Sequence, residues 1–208
     1  MEALILVDIQ LDFLPNGNLE VPNGDKIIPI ANQLMDCFDE IIATKDWHPA
    51  NHSSFAANHP WRKPFQIMNL NGYEQTLWPM HCVQNTFGAE FPKSLNQEKI
   101  DKIIYKGTNP DIDSYSAFYD NLHLKQTDLD SYLKSKNIEN LFIIGLALDY
   151  CVKYTALDAI GLDYQVTIIE DGCMALDNKK ESMDKLRDEL KNQGIKFMKS
   201  KEFEFRLA

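Results

Sequence analysis

The sequence predicts an α/β fold in which mostly parallel strands alternate with helices. Short apolar runs rich in β-branched residues recur along the chain, and segments with helical periodicity separate them. Parallel strands need crossover connections of this kind. With 208 residues, 44% of them hydrophobic, and no Pro-, Gly- or Ser-rich linker, the chain suffices for one ordinary core. We therefore expect residues 1–208 to form a single domain.

Six segments are predicted as the strands of the central sheet. Each is short and apolar, and the last has the weakest pattern. In chain order they are Ala3–Val7, Glu40–Thr44, Lys102–Tyr105, Leu141–Gly145, Gln165–Ile169 and Ile195–Met198.

Four segments between these strands have helical spacing. Asp25–Phe38 gathers its aliphatic residues on one broad face, and Leu129–Lys136 and Cys151–Ile160 show similar periodicity. Lys180–Asn192 carries a charged face, as expected of a helix at the surface. These segments provide the helices that cover the sheet.

The stretch from Asp46 to about Lys99 does not follow the alternation. It is rich in Asn, Pro, His and Trp and contains no long periodic element. Long irregular segments in compact domains are usually functional or disordered, and the many aromatic residues here argue against disorder. We expect this segment to form the wall of a pocket.

Composition narrows the classes of partner. The net charge of −10 disfavours nucleic acids and anionic membranes, which carry the same sign. The N-terminus lacks the basic region of a signal peptide, and no apolar run reaches membrane-spanning length. Four scattered cysteines do not form the pattern of a disulfide-stapled secreted domain. We expect a cytoplasmic protein with reduced thiols.

Reactive side chains follow four of the predicted strands. Asp8 ends the first strand, Asp46 follows the second, Lys106 ends the third and Cys151 opens the helix after the fourth. In an open α/β sheet, ligands bind at the carboxyl ends of the strands. The four groups are therefore expected to meet at one edge.

Asp8, Lys106 and Cys151 are each weak indications alone, since each has an ordinary reading as a cap, a surface lysine or a small buried residue. Together they suit nucleophilic catalysis. A nearby ammonium and a helix N-terminus favour the thiolate of Cys151, and a carboxylate can take the thiol proton and return it to a leaving nitrogen. Backbone N–H groups of Ala147 and Cys151 are candidate oxyanion donors.

Asp46 and His48 are spaced to place two potential metal ligands on one side of an extended segment, and His81 could complete the set. Both histidines also have alternative readings, His48 as a turn residue before Pro49 and His81 as a hydrogen-bonded pocket residue. From the residues alone, a metal site is one interpretation, and a pair of histidines with ordinary structural roles is the other.

Five motifs carry a resemblance to a known family: VDIQLDF, TKDWHP, LWPMHCVQNTFGAEF, YKGT and GLALDYCVKYTALDA. With them, nearly the whole chain resembles the nicotinamidases of the isochorismatase-like cysteine hydrolases. The resemblance implies the triad Asp8, Lys106 and Cys151 and a three-layer α/β/α sandwich with a central six-stranded sheet. It also implies a cis peptide bond between Leu146 and Ala147.

The resemblance further implies one divalent metal ion on Asp46, His48 and His81, with remaining positions for water and the pyridine nitrogen of nicotinamide. Zinc is preferred, and iron or manganese also suit a mixed carboxylate and imidazole set. Such an ion would orient the ring and activate water for hydrolysis of a Cys151 thioester. His52 is expected to give hydrogen-bonding support.

Aromatic walls are expected around a flat ring, and the resemblance points to Phe13, Trp78 and Tyr115. Gln10 and Asp12 are expected to orient Asp8 or Lys106, although Asp12 could equally be a turn cap. The implied reaction is the hydrolysis of nicotinamide, with pyrazinamide as a further substrate and a place in NAD salvage. The chain could act as a monomer or a homo-oligomer.

Three alternatives differ from this hypothesis. Another amidase or carbamoyl hydrolase of the superfamily would keep the triad but lack the metal elements. A catalytically silent metabolite- or metal-binding relative would not need the intact triad. A nucleotide-binding oxidoreductase would need a Gly-x-Gly-x-x-Gly turn after the first strand, and that turn is absent.

Overall fold

The computed structural model describes residues 1–70 and 72–204. Its strands, in chain order, are β1 (Glu2–Val7), β2 (Ile41–Asp46), β3 (Ile67–Leu70), β4 (Tyr73–Thr76), β5 (Lys102–Lys106), β6 (Asn140–Leu146), β7 (Gln165–Met174) and β8 (Lys196–Met198). Its α-helices are α1 (Ile27–Leu34), α2 (Leu129–Ser135), α3 (Lys153–Gly161), α4 (Lys180–Asn192) and α5 (Lys201–Glu204).

Six strands form the central sheet in the order β5-β2-β1-β6-β7-β8, and every pairing is parallel. The predicted α/β class and the six-stranded sheet are confirmed, and flanking helices cover the sheet. Strand β1 lies at the centre, where Leu4 is aligned with Ile41 on one side and Phe142 on the other. Residues 3–7 are fully buried, as expected of a strand covered on both faces.

Two helices differ from their predicted bounds. The segment predicted at Asp25–Phe38 is α-helical only over Ile27–Leu34 and has 3-10 turns on either side. The helix predicted from Cys151 begins at Lys153, after a π-helical turn over Leu148–Val152. Periodicity does not distinguish these tighter and wider turns from an α-helix, because they continue the same apolar face. Cys151 therefore lies in the π-helical turn.

Gly145 near the end of β6 brings this turn close to β1. Its φ of +133° is a backbone conformation that other residues rarely adopt, and a Cβ there would lie 2.1 Å from the carbonyl oxygen of Val7. Only glycine permits that approach. Asp8, the residue after Val7, consequently lies beside the turn that contains Cys151.

The long irregular segment contains a short antiparallel hairpin, β3–β4, which the sequence did not predict. Two isolated parallel bridges, His48 with Val83 and Phe55 with Trp78, hold the rest of the segment together. Within the described residues, no helix combines the length and the apolar character needed to cross a membrane.

Candidate active site

The carboxyl edge of the sheet collects the predicted reactive groups. Asp8 follows β1, Asp46 ends β2, Lys106 ends β5, and the turn with Cys151 follows β6. Because these four strands are neighbours in the sheet, their ends meet in one place. All four side chains are buried.

Lys106 is the centre of this cluster. Its Nζ lies 2.8 Å from Asp8 Oδ2 and 3.4 Å from Cys151 Sγ, and it also contacts Asp46 Oδ1. It donates a further hydrogen bond to the carbonyl oxygen of Ser114 at 3.1 Å. Burial alone would lower the pKa of Lys106, but the two carboxylates hold it well above its ordinary value. Lys106 therefore stays protonated as an ammonium.

The surroundings of Asp8 favour its neutral, protonated form. Burial raises its pKa, and Lys106 and Thr44 counteract part of that rise. Thr44 Oγ1 donates to Asp8 Oδ1 at 2.5 Å and accepts the backbone N–H of Asp8 at 3.0 Å. A carboxylate with a raised pKa is a better proton acceptor, which suits general base chemistry.

The Cys151 thiol lies at the bottom of the pocket, where burial raises its pKa well above the ordinary value and the charge of Lys106 counteracts that effect. One oxygen each of Asp8 and Asp46 and the sulfur of Cys151 lie within 4.8 Å of one another. The thiol thus has a proton acceptor and a stabilising cation close at hand.

The turn before Cys151 contains the cis peptide bond between Leu146 and Ala147 that the resemblance implied. Ala147 and Cys151 both line the pocket. The carbonyl of Ala147 accepts the N–H of Val152 at 3.2 Å, which closes the π-helical turn. The oxyanion role of the Ala147 and Cys151 N–H groups stays a prediction.

Asp46, His48 and His81 lie together, with one ligand-capable atom of each within 4.8 Å of the others. Both Nδ1 atoms face a backbone carbonyl, His48 that of Gly107 at 2.9 Å and His81 that of Pro79 at 2.8 Å. A carbonyl only accepts, so each Nδ1 carries a proton in the neutral ring and each Nε2 presents a lone pair.

These two Nε2 atoms face Asp46 Oδ2, at 3.5 Å from His48 and 3.7 Å from His81. Two lone pairs and a carboxylate oxygen directed at one another suit a divalent cation between them, so the residues fit the implied metal. Burial would raise the pKa of Asp46, but Lys106 and His48 hold it well below its ordinary value. Asp46 thus contacts the ammonium with one oxygen and the two imidazoles with the other.

His52 lies beside this set, in a second group with His48 and Asp113. Its Nδ1 accepts the backbone N–H of Ser54 at 3.2 Å, and burial lowers its pKa to about 4. The neutral ring therefore carries its proton on Nε2, which has no hydrogen-bond partner among the described residues. His59 instead bonds the carbonyl of Ser53 at 2.6 Å.

Gln10 and Asp12 hold backbone segments rather than Asp8 or Lys106. The Gln10 amide accepts the N–H of Asp46 at 2.8 Å and donates to the carbonyls of Asp46 and Ala89 at 2.8 and 2.9 Å. Asp12 accepts the N–H of Cys82, next to His81, at 2.7 Å. Both side chains fix the segments from which the metal-ligand set projects.

The predicted aromatic residues Phe13, Trp78 and Tyr115 all line the pocket. The hydroxyl of Tyr115 accepts hydrogen bonds from Trp78 Nε1 at 3.2 Å and Gln75 Nε2 at 3.1 Å. Four further residues line the pocket and were not predicted: Leu19, Asp113, Tyr150 and Leu176. Tyr150 was detectable as the neighbour of Cys151, whereas Leu19 and Leu176 come from distant turns without a motif.

Comparison with known proteins identifies the family of this chain. The family model described as the isochorismatase domain matches residues 2–202, which is nearly the whole chain. The chain belongs to the isochorismatase domain family. The kinship with nicotinamidases indicated by the motifs is confirmed by several relatives within this family.

Among those relatives, the nicotinamidase of Escherichia coli is 49% identical over 175 residues, which cover 82% of each chain. A solved nicotinamidase/pyrazinamidase of Acinetobacter baumannii is 43% identical, with 97% of each chain covered and a TM-score of 0.92. The pyrazinamidase of Pyrococcus horikoshii, solved in complex with zinc, is 39% identical, with 95% of this chain and 98% of that chain covered and a TM-score of 0.76.

Proposed function

We propose that this isochorismatase-family protein is a nicotinamidase, an amidohydrolase that converts nicotinamide to nicotinate and ammonia. The observation that carries the proposal is the position of Cys151 Sγ, 3.4 Å from a buried ammonium and beside Asp46, His48 and His81 in an aromatic-walled pocket. A carbamoyl hydrolase would not need that ligand set. Nicotinamidases among the relatives support the same choice.

The first half of the reaction uses Cys151 and Asp8. The thiol proton passes to the Asp8 carboxylate, and the sulfur electron pair forms a C–S bond with the amide carbon as the carbonyl electrons move onto oxygen. When the carbonyl re-forms, the C–N bond breaks and Asp8 returns the proton to nitrogen, so that ammonia leaves. Lys106 stabilises the sulfur anion before the C–S bond forms and again after it breaks, and the N–H groups of Ala147 and Cys151 are the proposed oxyanion donors.

The second half hydrolyses the resulting thioester. Asp8, again a carboxylate, takes a proton from water as the water oxygen attacks the acyl carbon. The C–S bond then breaks, and the proton on Asp8 returns to the Cys151 sulfur. The product leaves as nicotinic acid, whose carboxyl proton passes to solvent to give nicotinate. The enzyme is restored, and one water molecule has been consumed for each ammonia released.

Asp46, His48 and His81 are the residues that would hold one divalent metal ion, and zinc is our choice because the zinc-bound relative supports it. When bound, such an ion would bind the pyridine nitrogen and water, and so supply ring orientation and water activation. The chain itself fixes the tautomers of His48 and His81, because the carbonyls of Gly107 and Pro79 accept from their Nδ1–H groups.

Phe13, Trp78 and Tyr115 are proposed to hold the heteroaromatic ring, with Tyr150 as an additional wall. Pyrazinamide has the same flat shape and a ring nitrogen in the same position, so we propose it as a second substrate. We further propose a role in NAD salvage and a cytoplasmic location. All four cysteines are free thiols, and the Cys151 nucleophile must stay reduced.

The test is ammonia release from three substrates: nicotinamide, pyrazinamide and N-carbamoylsarcosine. We expect turnover of the first two and none above background with the third. Release from the carbamoyl compound without release from nicotinamide would replace the proposal with the carbamoyl hydrolase alternative.

A further inference from the structure

An aromatic and basic loop, residues 59–67, extends from the long irregular segment. Trp61 is 99% exposed, and Phe65 and Ile67 are each 62% exposed. Arg62 and Lys63 are also exposed, and neither forms an ion pair with any described residue. Tryptophan and arginine are the residues most enriched at the energetic centres of protein interfaces. This loop therefore has the composition of a binding element.

The loop is held in a fixed conformation. Its backbone is hydrogen-bonded to Leu77, the residue directly after β4. The N–H of Phe65 donates to the carbonyl of Leu77 at 2.6 Å, and the N–H of Leu77 donates to the carbonyl of Gln66 at 2.8 Å. Trp61 and Phe65 have φ values of +65° and +69°, which bulky side chains rarely adopt. Such strain persists only where the surrounding structure enforces it. The backbone of the loop is therefore ordered before a partner binds, which lowers the entropic cost of binding.

A hollow of matching chemistry lies at the mouth of the active-site pocket. It has a volume of about 370 Å³, and its acidic rim consists of Glu20, Asp149 and Asp177. These three carboxylates have no ion-pair partner within the described part of the chain, and Lys179 beside Asp177 offsets only part of their charge. Pro22, Tyr150 and Leu176 provide apolar surface.

We propose that the aromatic and basic loop of one copy of this chain binds in the acidic hollow of a second copy. Trp61 would fill the apolar part, and Arg62 and Lys63 would pair with the rim. A two-fold dimer requires both complementary elements on the same face of each copy. Phe65 meets this requirement because it belongs to the loop and also lines the hollow.

Local charge and apolarity select the partner. The basic and aromatic loop needs a surface that is both acidic and apolar, and the hollow of a second copy has both, so the contact joins opposite charges between copies that each carry a net charge of −10. Trp78, Tyr150 and Leu176 line both the hollow and the active-site pocket. The dimer contact therefore borders the opening through which a substrate reaches Cys151.

Sedimentation over a range of micromolar protein concentrations tests the proposal. We expect a reversible dimer for the wild-type chain and self-association at least about 30-fold weaker for Trp61→Ala, the size typical of a lost interface tryptophan. Phe87→Ala is the matched control, since Phe87 is also highly exposed, at 79%, but lies outside the loop and the hollow. It should leave the dimer unchanged.

A charge exchange tests the pairing itself. One variant carries Arg62→Glu and Lys63→Glu, and another carries Glu20→Lys and Asp177→Lys. Each alone is expected to be monomeric, while a mixture of the two should form heterodimers, because both contacts then join opposite charges. Thermal melting of each variant confirms that it is folded.

Three results would overturn the proposal. They are a wild-type chain that stays monomeric over the whole range, a Trp61→Ala dimer as tight as wild type, or folded charge variants that do not pair when mixed. Binding of the monomeric chain to anionic vesicles or to duplex DNA, lost in Trp61→Ala, would assign the loop to another partner.

Discussion

Asp46 joins two functions at the scale of single residues. One carboxylate oxygen contacts the Lys106 ammonium, and the other faces the Nε2 atoms of His48 and His81. A cation bound by the histidines would therefore share this carboxylate with the lysine whose Nζ lies 3.4 Å from Cys151 Sγ. The charge at the metal-ligand set and the charge beside Cys151 are coupled through one side chain.

Thr44 is hydrogen-bonded to Asp8, the proposed base, so the direction in which its replacement shifts the pKa of Asp8 can be predicted. Its hydrogen bond lowers the pKa of Asp8, which burial has raised. In Thr44→Val that contribution is lost, so Asp8 stays protonated to higher pH. Because the carboxylate form must accept the thiol proton, we predict that the acid limb of kcat/KM moves to higher pH, as measured by ammonia release across a pH series.

The matched control for this prediction is Thr155→Val. Thr155 is equally buried, and its hydroxyl accepts the N–H of Ala117 at 2.9 Å without contacting a carboxylate. Each variant leaves a buried N–H unpartnered and should lose about 1–3 kcal/mol of stability. An acid limb that stays in place in Thr44→Val, or that moves equally in both variants, would remove Thr44 from this role.

Single residues in short motifs were the most predictable part of the site. Asp8, Lys106 and Cys151 each follow a strand, and the parallel sheet brings strand ends together. Gln75 could not be predicted, because its contacts with Asp113 and Tyr115 depend on how a surface hairpin folds back over the pocket. No local pattern encodes such a contact.

At the scale of elements, Gln10 links the turn after β1 to the end of β2. Its amide satisfies both the N–H and the carbonyl of Asp46. We predict that Gln10→Leu weakens metal affinity about 10- to 100-fold, because the support of a metal-binding carboxylate is lost. Titration of zinc against a competing chelator measures this directly.

Gln97→Leu is the control for Gln10→Leu. Gln97 also donates to a backbone carbonyl, that of Pro92 at 3.1 Å, but on a turn without a metal-ligand residue. Its zinc affinity should equal that of wild type. Equal affinities in all three proteins would show that β2 holds Asp46 without the glutamine.

Elements with regular periodicity were predicted to within a few residues, and Lys180–Asn192 matched its predicted bounds. The β3–β4 hairpin was not predicted, because the burial of its side chains does not follow their hydrophobicity. Ile67 is 62% exposed, whereas the polar Gln75 is buried. The π-helical turn escaped because it continues the apolar face of α3, and only its hydrogen-bond pattern distinguishes it.

For the whole molecule, the metal-ligand set joins the sheet to the long irregular segment. Asp46 ends β2, while His48 and His81 belong to the irregular segment, in which His48 pairs with Val83 through an isolated bridge rather than within a sheet. A ligand that binds only the folded state, present at 100 times its Kd, stabilises that state by about 2.7 kcal/mol. Bound metal should therefore raise Tm by several degrees in a chain of this size.

We predict that verified removal of the metal by a chelator lowers both Tm and the rate of ammonia release, and that a divalent ion restores both. Scanning calorimetry and the activity assay are run on the same samples. An unchanged rate after complete removal would count against a metal in the reaction, and an unchanged Tm would count against a structural contribution.

The sequence predicted the alternation of strands and helices but not the strand order β5-β2-β1-β6-β7-β8. The strand order depends on which strands the crossover connections place side by side, and this is determined by tertiary packing rather than by local sequence. The close approach of Gly145 to Val7, which brings the turn containing Cys151 beside Asp8, is one such contact. The family motifs predicted that Asp8 and Cys151 lie together, but not the contact between Gly145 and Val7 that brings them together.

The most direct measurement is ammonia release from nicotinamide by Cys151→Ala, compared with Cys173→Ala. Both thiols are buried, and burial raises the pKa of Cys173 to about 12, but its sulfur faces the carbonyl of Ile169 away from the pocket. Loss of the nucleophile should reduce turnover by about 10⁴-fold or more, with nicotinamide binding retained, while Cys173→Ala stays active. Turnover by Cys151→Ala at the wild-type rate would contradict the account.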